Sequence, residues 1–167
     1  MALGGGFGSK LAAKQHVILA LMASKAVGRP VQFTVTRTQM FTNTNLRQRN
    51  EQRIQIGAKK DGTLTALSHD TLSHTSTYEQ YQESCGTVTK MLYKTPNNSV
   101  THRLMPMNLQ TPFAMRAPGE ATGSFALESA MDEMAYKLDM DPVEFRIKND
   151  TQVDPSNDKP FSSRLLN

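Results

Sequence analysis

The sequence predicts an α+β fold in which an antiparallel sheet packs against two main helices. Three observations carry this. Two alternating stretches flank an Asp61-Gly62 turn, residues 120–138 repeat apolar side chains at helical spacing, and a second helical run stops before Gly28 and Pro30. With 167 residues, 38% hydrophobic and 20% charged, the chain suits one domain that buries about 70% of its unfolded surface. Disordered, collagen-like and disulfide-scaffold classes are excluded on the same composition.

Residues 1–8, MALGGGFG, form a loop, because three consecutive glycines free the backbone for positive φ or for close approach to a ligand. Leu11, Val17, Ile18, Leu21 and Met22 then predict a helix from about Lys10 to Val27, with Ser9 as its cap. VQFTVTR (31–37) alternates as a half-buried strand does. Residues 42–52, rich in Asn and Gln, read as an exposed, solvated connection. RIQIGAKK (53–60) and TLTALSHDTLSH (63–74) make a hairpin across Asp61-Gly62. After a weakly patterned stretch, residues 99–108 read as extended. Leu127, Met131, Met134 and Leu138 define the buried face of a helix over 120–138. Asp141-Pro142-Val143-Glu144 caps and opens a short helix to about Lys148. The domain therefore runs over 1–150, and 151–167 reads as an irregular connector or tail.

Nineteen basic against fifteen acidic residues leave a net charge of +4, which permits an anionic ligand without requiring one. Arg29, Arg37, Arg47, Arg49, Arg53, Lys59 and Lys60 are scattered, Trp is absent and Tyr numbers four, so a nucleic-acid partner is not expected. The single cysteine, Cys85, excludes an intramolecular disulfide and any cluster built from this chain's own thiolates. His16, His69, His74 and His102 show no metal-ligand spacing, so no side-chain metal site and no catalytic side chain is assigned. No apolar run reaches the ~20 residues of a membrane span.

Two motifs stand out. GGGFGSK (4–10) before a helix offers converging amides to an anion. It matches neither a phosphate-binding Walker loop nor a dinucleotide fingerprint, since Ser9 occupies a required glycine position. On pattern alone a plain N-terminal loop explains it equally well. PFAMRAPGE (112–120) holds Arg116 between Pro112 and Pro118, a braced cation suited to an anion; an ordinary surface arginine is the alternative. Glu120 reads as a helix-dipole carboxylate, and Glu128, Asp132 and Glu133 as a solvated helix face.

Taken in order, GGGFGSK (4–10), GRPVQFTVTR (28–37), the Asp-Gly hairpin, YKTPN (93–97) and the long run from Thr111 to Asn149 resemble one family, the molybdenum hydroxylases. The chain is similar to the molybdopterin-binding large subunit of the xanthine dehydrogenase/aldehyde oxidoreductase family, nearest its bacterial aldehyde oxidoreductases. The resemblance runs from about Gly4 through PFSSRLL (160–166). It implies a molybdenum–molybdopterin cofactor, with the cytosine dinucleotide form as one option, lined by Gly5, Gly6, Phe7 and Gly8 and by Ala114, Met115, Arg116 and Ala117. It also implies oxidative hydroxylation of a small substrate, with electrons leaving through iron–sulfur and FAD partner subunits.

Purine-oxidising members carry a glutamate where this chain has Leu11, an arginine near Ser84 and a phenylalanine where it has Pro118. The resemblance therefore implies an aldehyde, oxidised to its carboxylic acid. The family's general-base glutamate lies far downstream of any residue here, so this chain is expected to be a fragment inactive on its own. A non-catalytic remnant that only associates with partner subunits is the rival reading, and an anion or nucleic-acid binding module a third. Family complexes work in the cytoplasm, or in the periplasm after co-export on a partner's signal, and both compartments stay open.

Overall fold

Gly28 ends the first helix where its position predicts. In the computed structural model, which describes residues 5–8 and 10–163, α1 (Gln15–Val27) closes on Gly28 at φ +64°. Helices commonly end on a left-handed residue, and glycine has no Cβ to oppose it. α1 begins later than the predicted Lys10, since Lys14 is extended at φ −101°, ψ 168° and Lys10 Nζ folds back on the Gly5 carbonyl at 2.7 Å. Residues 10–14 thus belong to the glycine loop. Ser9, the predicted cap, lies outside the described residues. α1 buries none of its side chains.

The strand predicted over 31–37 does not form. Residues 31–36 join no ladder, and α2 (Arg37–Asn43) follows. Thr36 and Gln39 close a capping box, Gln39 N–H donating to Thr36 Oγ1 at 3.2 Å and Thr36 N–H to Gln39 Oε1 at 2.9 Å. Two reciprocal bonds at Thr-x-x-Gln outweigh a short alternation that has no partner strand.

The hairpin follows its turn chemistry. β1 (Asn50–Ala58) and β2 (Leu64–Ser76) pair antiparallel, with Asn50 opposite Ser73 and a register shift at Gly57/Ala58. Gly62 takes φ +85°, and Asp61 Oδ1 accepts from Thr63 N–H at 3.0 Å. The chain then makes α3 (Thr87–Leu92), which the weakly patterned sequence did not announce. β3 (Asn97–Met107) joins the free edge of β2, giving the order β1-β2-β3. Its side chains meet β2 in the same chain order, Asn97 Nδ2 on Thr65 O and Thr101 Oγ1 on Asp70 Oδ1.

α4 (Glu120–Lys137) covers β1, with α3 and α5 (Pro142–Lys148) packed on α4. Leu127, Met131, Ala135 and Phe145 are fully buried with Leu67 and Val88, and Met134 and Leu138 pack against them. Asp141 Oδ1 caps α5, accepting from Val143 and Glu144 N–H at 2.7 and 3.0 Å. Residues 151–163 carry β4 (Val153–Asp154) and β5 (Lys159–Pro160), a two-residue ladder. The chain divides into two compact units. The first holds the stretch up to Gln48 with His74–Gln82 and Pro106–Arg116, and the second holds Arg49–Ser73, Glu83–Met105 and Ala117 onward.

Two polar features of the second unit depart from hydropathy. Glu128 and Asp132 are not a solvated face: Arg146 Nε donates to Glu128 Oε2 at 2.6 Å and its Nη1 to Asp132 Oδ1 at 2.7 Å, while Tyr93 Oη donates to Glu128 Oε1 at 2.9 Å. The buried positions of β2 include His69, Thr71 and Ser73. The His69 ring nitrogens bond Thr89 Oγ1 at 2.7 Å and Gln52 Oε1 at 2.8 Å.

Arg146→Ala leaves two carboxylates half-buried without their cation, a case between a buried pair and a surface one. Denaturant titration should show a loss of about 2 kcal/mol. Burial pushes the His69 imidazole down to about 4, His102 adding to the shift and Asp70 opposing it. Its folded value lies below the ordinary ~6.5, so the unfolded chain binds the extra proton. Its stabilisation is complete above pH ~6.5 and is lost as pH falls towards 4. Thermal midpoints measured from pH 7 to 4 should fall through that window, with a shallower slope in His69→Gln.

Candidate functional site

The glycine loop and residues 112–116 of the second motif fall in the first compact unit, and they meet. The glycine loop turns through left-handed backbone, with Gly5 at φ +90°, Phe7 at +49° and Gly8 at +96°. Phe7 is not a glycine, so its conformation costs roughly 1–2 kcal/mol that the surroundings must offset. Part of that offset is visible: the Arg116 N–H donates to the Phe7 carbonyl at 2.8 Å. Gly8 makes the approach possible. A Cβ there would stand 2.6 Å from the Ala114 carbonyl oxygen and 2.7 Å from Met115 Cα, inside any tolerable contact with atoms of the main chain.

The opposing loop is pinned residue by residue. Gln110 Nε2 donates to the Thr44 carbonyl, Thr111 Oγ1 shares a 2.7 Å hydrogen bond with Ser76 Oγ, and Pro112 is fully buried. Phe113 N–H donates to Leu46 O at 3.0 Å. Its ring stacks on Tyr81 at 5.6 Å between centroids, and Lys14 Nζ lies 4.2 Å from its centroid. Burial lowers the Lys14 ammonium below its ordinary value, against the pull of Glu79. Arg116 is exposed, so a rigid main chain carries a guanidinium that faces solvent. Ala117 follows at φ +56°, a second left-handed non-glycine residue beside the contact.

Residues 44–48 provide the platform, and the reading of 42–52 as a solvated connection is corrected here. Gln48 is 2% exposed, and its Nε2 donates to the carbonyls of His74 and Tyr81, each at 2.7 Å. Arg47 Nη2 donates to the Arg116 carbonyl at 2.5 Å. In sequence both residues read as part of a polar stretch. No sequence signal set them apart from their polar neighbours.

The predicted site residues Gly5, Gly6, Phe7, Gly8, Ala114, Met115 and Arg116 are thus grouped in one unit, and Ala117 is the next residue along the chain. The arrangement presents glycine main chain, the exposed Arg116 guanidinium, the exposed Lys10 ammonium on the Gly5 carbonyl and an exposed Phe7 ring. Such a set binds and orients; it suits an anionic group held by amides and guanidinium. Among the described residues no three His, Cys, Asp or Glu side chains gather as metal ligands, and no helix is long and apolar enough to cross a membrane.

The sequence model of the family described as molybdopterin cofactor-binding domain matches residues 1–150. The chain is 43% identical over 165 residues to the aldehyde oxidoreductase molybdenum-binding subunit PaoC of Escherichia coli (strain K12), covering 98% of this chain and 22% of that protein. It is 33% identical over 159 residues to the xanthine dehydrogenase molybdenum-binding subunit of Escherichia coli O157:H7, covering 93% and 21%. Among solved structures, the aldehyde oxidoreductase from Desulfovibrio gigas superposes with a TM-score of 0.82 at 32% identity, covering 95% of this chain and 18% of that one. The chain spans about a fifth of the length of these relatives.

Gly8→Ala should separate the two loops, because the added carbon meets main-chain atoms that no rotamer change can move. Hydrogen exchange read at the Arg116 amide checks this. Protection present in the parent chain should be lost in the variant, while amides of the β1–β2 ladder keep theirs.

Proposed function

Because this chain belongs to the molybdopterin cofactor-binding domain family of the aldehyde oxidoreductases and xanthine dehydrogenases, we propose that its paired loops hold a molybdenum–molybdopterin cofactor in an enzyme that oxidises aldehydes to carboxylic acids. The observation that carries the reading is the Phe7–Arg116 contact, flanked by two left-handed non-glycine residues. Strain of that kind persists where the surroundings over-determine the backbone, and it concentrates at functional sites.

The residues fit the group. A pyranopterin bearing phosphate needs a donor surface without side-chain obstruction and a cation for the phosphate. Gly5, Gly6 and Gly8 supply the first, and Arg116 the second. Ala114, Met115 and Ala117 line the same loop. When bound, the cofactor supplies the redox chemistry of the hydroxylation, and the chain's contribution is orientation and fixed charge. Phe7, 72% exposed, offers an apolar surface beside the glycines.

Aldehyde rather than purine is supported by Leu11, Ser84 and Pro118, which provide no glutamate, arginine or phenylalanine at the positions where the resemblance expects them in purine oxidisers. Iron–sulfur and FAD subunits as electron acceptors are supported by the relatives' designation as molybdenum-binding subunits. The cytosine dinucleotide form of the pterin belongs to the same proposal.

The protein purified natively with whatever accompanies it should contain molybdenum and pterin in equal amounts, by elemental analysis and by mass spectrometry of the released pterin. Arg116→Ala should lower aldehyde turnover roughly tenfold or more, the scale of losing a charge-assisted contact that orients the cofactor. A protein free of metal, pterin and redox partners would support instead the second reading, a non-catalytic chain that only associates with other subunits. The many exposed apolar side chains of α1, Leu21 and Met22 among them, favour that reading as far as association goes.

A further inference from the structure

Arg116 is held by its main chain on both sides. Its N–H donates to the Phe7 carbonyl, and its own carbonyl accepts from Arg47 Nη2 at 2.5 Å. That carbonyl belongs to the peptide leading into Ala117, whose left-handed φ of +56° is disfavoured for any residue with a Cβ. Ala117 is also held through its own carbonyl, which accepts from Ala121 N–H at 3.1 Å; once the Arg47 bond is lost, relaxation of Ala117 to negative φ relieves the strain. The chain then either turns over the Arg116–Ala117 peptide or shifts Arg116 away from Phe7.

We propose that Arg47 is a positioning residue for the cofactor loop: its guanidinium fixes the Arg116–Ala117 peptide and so sets the face that Arg116 presents to the molybdopterin. This rests on the cofactor reading above. Arg47 is suited to the task because its own backbone is immobilised on both sides. Leu46 accepts from Phe113 N–H, and Gln48 is anchored to His74 and Tyr81. A planar guanidinium on an immobile stem loses little freedom in forming the bond. The Phe113 ring, between Tyr81 and Lys14, prevents the loop from following Arg47 as a rigid body. A shift at Arg47 is therefore felt at Arg116.

The test uses the natively assembled protein carrying Arg47→Ala, Arg47→Lys, and Arg47→Ala combined with Ala117→Gly. Three quantities are read: molybdenum and pterin per chain, the Mo(V) electron paramagnetic resonance spectrum, and kcat and KM separately for an aldehyde. Arg47→Ala should lose several-fold in cofactor content and about tenfold in kcat, with KM little changed and an altered Mo(V) line shape in the loaded fraction. Arg47→Lys should recover part of the loss. Ala117→Gly removes the penalty that Arg47 offsets, since glycine adopts left-handed backbone freely, so the double variant should regain at least half of the lost cofactor.

A double variant no better than Arg47→Ala overturns the proposal, because it is the result of Arg47 contacting a phosphate directly. Unchanged cofactor content and Mo(V) spectrum in Arg47→Ala overturn it as well. If Arg47→Ala fails to fold, the same comparison is made between Arg47→Lys and Arg47→Lys with Ala117→Gly, and absence of rescue there again overturns it. Parent protein without molybdenum or pterin defeats the cofactor reading itself, whereas loaded parent with equally loaded Arg47→Ala defeats only the role of Arg47.

Discussion

The hydrogen bond from the Arg116 amide to the Phe7 carbonyl joins two segments from opposite parts of the chain, and the surrounding structure is arranged to make it possible. Gly8 lets the main chains touch, since any Cβ would collide with Ala114 and Met115. Positive φ at Phe7 and Ala117 turns each loop towards the contact, a conformation that the isolated loops would not choose. The free energy that holds those residues in place comes from elsewhere: a buried proline, a ring stack, and hydrogen bonds from residues 44–48. The result is a preorganised surface, in which the cost of ordering the loops is met in folding rather than in binding.

The second compact unit is built on different terms. Its apolar core, centred on Leu127, Met131 and Phe145, coexists with a polar interior on β2 and a carboxylate–arginine cluster between α4 and α5. His69 and the Glu128–Arg146–Asp132 cluster are costly to bury alone and acceptable because their partners are present, whereas Thr71 Oγ1 and Ser73 Oγ are buried without a hydrogen-bond partner. His69 illustrates the point, with both ring nitrogens bonded and its charge suppressed. Such networks specify one packing of helix against sheet, because a slipped register would strand His69 from Thr89 and Gln52.

Family membership and the loop geometry answer different questions. The family relation concerns a cofactor class, while the geometry concerns how this chain would hold it: main-chain donors and the exposed Arg116 guanidinium. The relatives are about five times as long as this chain. The contribution of these residues is placement and charge.

Local chemistry was legible in the sequence. Gly28 and Asp141 mark helix ends, Asp61-Gly62 marks the hairpin, and the Leu127–Met131 spacing marks a buried face, because each is decided within a few residues by φ preference, capping or periodicity. Gly5–Gly8 and Arg116 were legible as candidates for the same reason. The tertiary structure alone decided what non-local partners settle. The 31–37 alternation found no strand to pair with and yielded to the Thr36–Gln39 cap. Gln48 and Arg47, polar in a polar stretch, became the platform of the site once His74, Tyr81 and Arg116 came within reach. The buried face of β2 carries His, Thr and Ser, which hydropathy assigns to solvent. Hydropathy records how a residue interacts with water, whereas Arg47, Gln48 and His69 were placed by hydrogen bonds to groups that only the folded chain brings beside them.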